Sequence, residues 1–271
     1  MAVQGHSEER YFESSGVPIH FVDAGKGAPV VLIHGVTSSA EFWTDIGVTE
    51  TLSEQYRTIA LDCRGHGKSG KPHDRSAYGK QIVRDVVALL DHLNLEDAHV
   101  IGYSMGAEVA LRLVVEYPER VRSLIIGGSG WTGSLMSEVY TRSADALEVH
   151  GSLGPALKWM NARMPGGPFP PPTDEEIALI DEGLKKTQDI KALRLVMGSM
   201  PEIVNLSRDE VAAISVPVLG ITGEHDPERS NLEKMIDVPS DYTLTIIAGA
   251  DHEGAFMDPQ FIDSITNFLK Q

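Results

Sequence analysis

HVIGYSMGAEVALRLVVEYPERVRSLIIGG, residues 99–128, decides the fold. It reads as a short apolar strand, a glycine-flanked turn, a helix from Met105 to Glu116 stopped by Pro118, and a second apolar strand over 122–128. Two earlier stretches, PVVLIH at 29–34 and RTIALDC at 57–63, are nearly continuous apolar runs, as expected of strands buried on both faces of a parallel sheet. A strand–helix–strand unit of this kind packs its helix against the sheet formed by its own strands.

Working outward, the same alternation continues in both directions. VPIHFV at 17–22, PVVLIH at 29–34 and RTIALDC at 57–63 read as strands. Ile82, Val86, Leu89, Leu90 and Leu93 recur at helical spacing between Tyr78 and Leu95. Near the C-terminus VPVLGIT at 216–222 and YTLTIIA at 242–248 read as further strands, followed by a helix from Pro259 to Lys270. The stretch from Trp131 to Asp209 breaks this order and reads as helices only, with a capping box at Thr173 and Glu176. PGGPFPPP at 165–172 excludes regular structure and predicts an extended loop. The expected organisation is a core of residues 1–130 and 210–271 with a helical cap, 131–209, inserted between two strands.

The 271 residues carry a formal charge of −16, which argues against nucleic acid or an anionic membrane as partner. No apolar run reaches membrane-spanning length, and MAVQGHSEER lacks the apolar block of a secretory signal. With one cysteine, Cys63, no internal disulfide framework exists, which predicts a reducing, cytoplasmic location. No spacing of histidine, cysteine and carboxylate predicts a metal site.

Chemistry concentrates at the ends of the predicted strands. Gly102-Tyr103-Ser104-Met105-Gly106 is G-x-S-x-G between a strand and a helix, where tight turning presents the serine at the helix N-terminus. A serine hydroxyl needs a base to take its proton. His252, in GADHEG just past the strand at 242–248, is the candidate, with His225 and His34 as rivals at other strand ends. Asp226, in GEHDP after the preceding strand, is the candidate acid to orient it, with Glu224 in reserve. The backbone N–H groups of Met105 and Val36 are the expected oxyanion donors.

With HGVTSS at 34–39, DCRGHGKS at 62–69, GYSMG, GEHDP and GADHEG in this order, the chain resembles the α/β-hydrolase superfamily, in its capped esterase, lactonase and C–C hydrolase branch. The resemblance implies a mostly parallel eight-stranded sheet with helices on both faces. It also implies hydrolysis without metal or cofactor, and structural roles for Asp62 and Arg64. An aspartate nucleophile would mark dehalogenases and epoxide hydrolases; here the residue is Ser104. Tyr103 and Ala107 depart from the Gly-Asn-Ser-Met-Gly-Gly frequent among C–C hydrolases.

The expected reaction is cleavage of a small or medium apolar ester or lactone through an acyl-enzyme at Ser104. A C–C hydrolase of a diketone acid, a cofactor-free perhydrolase and a non-enzymatic ligand receptor stay open as alternatives. Trp43, Trp131, Trp159 and Met160, with Met164 and Met197, are the expected apolar lining of the substrate pocket. Arg163 and Arg194 are available to bind a carboxylate on a C–C hydrolase substrate.

Overall fold

The computed structural model describes residues 8–163 and 172–271. Met164 and most of the proline-rich stretch lie outside them. In chain order the elements begin with β1 (Glu8–Ser14), β2 (Val17–Gly25), β3 (Ala28–Ile33), α1 (Glu41–Asp45), α2 (Val48–Ser53) and β4 (Tyr56–Leu61). There follow α3 (Gln81–His92), β5 (Ala98–Tyr103), α4 (Met105–Glu116) and β6 (Val121–Gly127). The next six elements are all helices: α5 (Ser134–His150), α6 (Gly154–Arg163), α7 (Asp174–Thr187), α8 (Ile190–Ser199), α9 (Pro201–Val204) and α10 (Arg208–Ala212). The chain then returns through β7 (Val218–Gly223), α11 (Arg229–Glu233), β8 (Tyr242–Ile247), α12 (His252–Met257) and α13 (Pro259–Leu269).

One eight-stranded sheet has the order β1-β2-β4-β3-β5-β6-β7-β8. From β4 to β8 every pairing is parallel; β2 runs antiparallel to both β1 and β4. This is the α/β-hydrolase sheet that the resemblance implies. The edge strand β1, EERYFES, has no apolar periodicity that predicts it. Only Phe12 and Ser14 of it are buried, so its sequence carries polar groups rather than an apolar run. Its existence depends on pairing with β2 and on Phe12 reaching the core.

Alternation within the central strands feeds two cores. Val31, Ile33, Ile59, Leu61, Val100 and Leu124 point to the face covered by α3 and α4. Val30, Leu32, Ala60, Ile101, Ile125 and Leu219 point to the other, where Trp43 of α1, Leu52 of α2, and Phe261 and Ile265 of α13 cover them. Both faces being apolar, these strands are legible as continuous runs. The capping box expected at the start of α7 is present, with Thr173 Oγ1 accepting from the Glu176 N–H and Glu176 accepting from the Thr173 N–H. Among the described residues no helix is long and apolar enough to cross a membrane.

The candidate active site

The turn from β5 into α4 puts Ser104 at φ 54°, ψ −121°, outside the regions favoured by residues with a side chain. Its N–H donates to Gly127 O at 2.8 Å, locking it to the end of β6. The flanking glycines are required by close approach. A Cβ on Gly102 would lie 2.1 Å from Gly106 O, and one on Gly106 would lie 2.0 Å from Ile33 O at the end of β3. The helix therefore begins hard against two neighbouring strand ends.

His252 opens α12, and its Nδ1 lies 2.9 Å from Asp226 Oδ2. A carboxylate only accepts, so Nδ1 carries the proton and Nε2 is the free, basic edge. Asp226 is held in turn by the Glu228 N–H, which donates to Oδ1 at 2.8 Å. The acid is buried while the imidazole is 31% exposed. Burial disfavours the charged ring, yet the hydrogen bond and charge of Asp226, with the charges of Glu228 and Glu253, outweigh it and raise the His252 pKa above its ordinary value.

Tyr103 ties His252 to the turn that carries Ser104. Its hydroxyl donates to the backbone carbonyl of His252, and the two ring centroids are 5.4 Å apart. Gly128, at φ 63°, gives the imidazole room, since a Cβ there would sit 2.9 Å from His252 Cε1. Ser104 and His252 thus flank the same strand ends. Among the described residues the Ser104 hydroxyl makes no hydrogen bond to the ring, whose Nδ1 is taken by Asp226.

The rival assignments end elsewhere. His34 is fully buried; its Nε2 accepts from the Cys63 N–H at 3.0 Å, so its Nδ1 donates to Gly35 O at 2.7 Å. Both edges are occupied, and burial lowers its pKa. The His225 side chain is exposed, and Glu224 accepts from the Gly249 N–H instead of facing His252. Asp251 caps α12 by accepting from Gly254.

The loop and helix that carry the two expected donors both border Ser104. A methyl built on Gly35 would lie 3.4 Å from Ser104 Cβ, so the loop carrying Val36 lies against Ser104. Met105 is the first residue of α4, and neither its N–H nor that of Val36 finds a protein acceptor among the described residues. Asp62 organises the loop beneath: it accepts from the Ala40 and Lys68 N–H groups, each at 2.6 Å, and from His20 at 2.8 Å. Burial opposes its charge, but these donors hold its carboxyl below the usual range.

The aromatic lining departs from expectation. Trp43 has no exposed surface and packs among Val30, Leu32 and Phe42; it is a core residue, because α1 turns its indole toward the sheet. Trp159 sits under the guanidinium of Arg142, 4.3 Å from the ring, and lines a depression of about 200 Å³ with Asp145, Val149 and His150, away from the strand ends. Met160 follows it on α6, half-buried. Trp131 joins core to helices: its Nε1 donates to Leu206 O at 2.8 Å and Lys234 lies 5.2 Å over its ring. Arg194 pairs with Glu148 at 2.8 Å in a second cleft that also holds none of Ser104, Asp226 or His252. Met197 is buried in the core that includes α8.

One cluster escaped the sequence reading. Glu108 of α4, Ser129 after β6, Tyr140 of α5 and Glu228 meet beside His252 and Asp226. The four share no spacing pattern. Only the position of Glu228, two residues after Asp226, offered a signal.

A family model described as alpha/beta hydrolase fold matches residues 28–165, half of the chain. The chain is 25% identical to 2-(acetamidomethylene)succinate hydrolase of Mesorhizobium japonicum, over 97% of its own length and 96% of the relative's. It is 28% identical to the 2-hydroxy-6-oxononadienedioate/2-hydroxy-6-oxononatrienedioate hydrolase of Paraburkholderia xenovorans, covering 86% of this chain and 80% of that one. Among solved structures, the enol-lactonase from Burkholderia xenovorans superposes with a TM-score of 0.75 at 21% identity, over 97% of this chain and 100% of the other. Sheet order, strand-end geometry and family match agree, and the chain is a hydrolase belonging to the α/β-hydrolase fold family.

Proposed function

We propose that this protein is a serine hydrolase of small or medium carboxylic esters or lactones, working through an acyl-enzyme at Ser104. His252 Nε2 takes the hydroxyl proton as Oγ attacks the carbonyl, and Asp226 stabilises the imidazolium that forms. The negative oxygen of the tetrahedral intermediate is received by the N–H groups of Val36 and Met105 at the head of α4. His252 then protonates the leaving alcohol, and a water deprotonated by the same ring releases the acid and restores Ser104.

The observation that carries this reading is the 2.9 Å contact of Asp226 with His252 Nδ1, which leaves Nε2 unprotonated, together with a serine held at positive φ in the turn after a neighbouring strand. The helices from α5 to α8 are the proposed lid, residues 131–209 being its extent, and they set substrate choice. A second reading, hydrolysis of a C–C bond in a diketone acid by the same three side chains, is favoured by the similarity to the hydrolase of a 2-hydroxy-6-oxo dienedioate.

A panel of activated esters, lactones and coloured diketone acids, run with wild type and Ser104→Ala, separates the two. Wild type should turn over one class, and Ser104→Ala should lose at least about 10³-fold in kcat with an unchanged melting temperature. Labelling by a fluorophosphonate should follow the same pattern. Wild-type rates from the alanine variant would overturn the nucleophile assignment.

A further inference from the structure

Glu108 lies one helical turn beyond Ser104 and is only 3% exposed. Its Oε2 accepts from the Tyr140 hydroxyl at 2.6 Å, and its Oε1 is 3.2 Å from Ser129 Oγ. The same Ser129 oxygen lies 2.7 Å from Glu228 Oε2. Two carboxyl groups therefore meet on one hydroxyl, which owns a single hydrogen. If both were ionised, Ser129 would satisfy one and turn a lone pair toward the other, with two negative charges held in a poorly solvated space. A proton on one carboxyl resolves this, giving a directional chain in which acid donates to hydroxyl and hydroxyl to carboxylate.

The surroundings decide which carboxyl holds it. Among the described residues Glu108 is contacted by the hydroxyls of Tyr140 and Ser129 and pairs with no cation. Glu228 is half-buried and faces charge from several elements. Asp226 comes from its own loop, Lys234 from just after α11, His252 from α12, Glu108 from α4, and the phenols Tyr103 from β5 and Tyr140 from α5. Asn231 Nδ2 adds a weak contact at 3.5 Å. A negative charge is thus better tolerated on Glu228.

We propose that Glu108 and Glu228 share one proton through Ser129, that Glu108 carries it, and that the ionised Glu228 is a positioning residue which places a second negative charge beside the His252 ring. The role at His252 rests on the serine-hydrolase reading above; the shared proton does not. Burial raises both carboxyl pKa values, and Glu228 is among the charges that raise that of His252. The chain of hydrogen bonds also fastens α5, through Tyr140, to α4, the helix that follows Ser104.

Two measurements on the full-length protein test this, neither requiring turnover. Infrared spectra at pH 7 should contain the carbonyl stretch of a protonated carboxylic acid, and Glu108→Gln, whose amide reproduces the neutral acid's donor and acceptor, should lose it. Wild-type spectra lacking the band overturn the shared proton, and no variant is needed for that result. The imidazole of His252, titrated by NMR, should show its pKa lowered by on the order of one unit in Glu228→Gln. Glu228→Asn removes the same charge with a shorter amide, and serves if the glutamine variant does not fold. An unmoved His252 titration in a folded variant overturns the role of Glu228. Should the titration move while Ser104→Ala keeps its activity, the nucleophile assignment fails and the carboxyl pair stands.

Discussion

At the scale of single residues, the site depends on which edge of one imidazole carries a proton. Asp226 fixes Nδ1–H, and Asp226→Asn lets the amide donate and so favours the opposite tautomer. That variant should lose kcat by on the order of 10³–10⁴-fold while its fold survives, as read by stopped-flow kinetics and circular dichroism. A retained kcat would mean the contact is only structural. The pH profile follows from the raised His252 pKa, since the ring must be neutral to act as base. The acid limb of kcat/KM should therefore fall above the ordinary histidine value of about 6.5, not below it. Ser104, Asp226 and His252 were legible because each sits in a short strand-end segment whose neighbours constrain it. Glu108 and Glu228 were not, since nothing local distinguishes a solvated glutamate from one turned inward by a neighbouring helix.

Elements were legible in proportion to how far their burial imposed a period. The two-sided strands β3 to β6 and the amphipathic α3 stand out in the sequence, whereas polar β1 and the five-residue α1 do not. The junction between α4 and β3 shows an element-level requirement that no propensity reveals. Gly106 lies within a helix, where alanine would ordinarily be the better residue. Gly106→Ala should nevertheless destabilise the protein by about 3 kcal/mol or more in urea unfolding, because its Cβ would press on Ile33 O at 2.0 Å. Equal or greater stability in the variant would show that α4 can back away from the sheet. The pocket lining belongs to this scale too. Trp43 was expected at the substrate from the loop after His34, yet it lies in α1, which turns it into the core.

Across the whole molecule, Arg64 links regions far apart in sequence. It donates from Nε to Asp85 Oδ2 of α3 at 2.6 Å and from other nitrogens to the carbonyls of Ala77 and Ser14, with both charged side chains 1% exposed. Burial pushes the Asp85 carboxyl above its usual range even though Arg64 opposes the shift, so desolvation is a large part of what this pair costs. Breaking it should therefore be worse than replacing it. Asp85→Leu alone should cost about 3–5 kcal/mol, and Arg64→Met with Asp85→Leu should recover most of that loss in equilibrium unfolding. A double variant as unstable as the sum of two damaging single changes would show that the pair itself is stabilising. The sequence by itself determined the alternation of strands and helices, the glycine-flanked serine and the order of the three candidate side chains, since apolar periodicity and turn chemistry act over a few residues. Only the tertiary structure decided that His252 and not His34 meets the acid, that Trp43 is core, and that Glu108 and Glu228 meet on one serine. Those outcomes depend on contacts between segments tens of residues apart, and it is the stacking of strands and helices that fixes them.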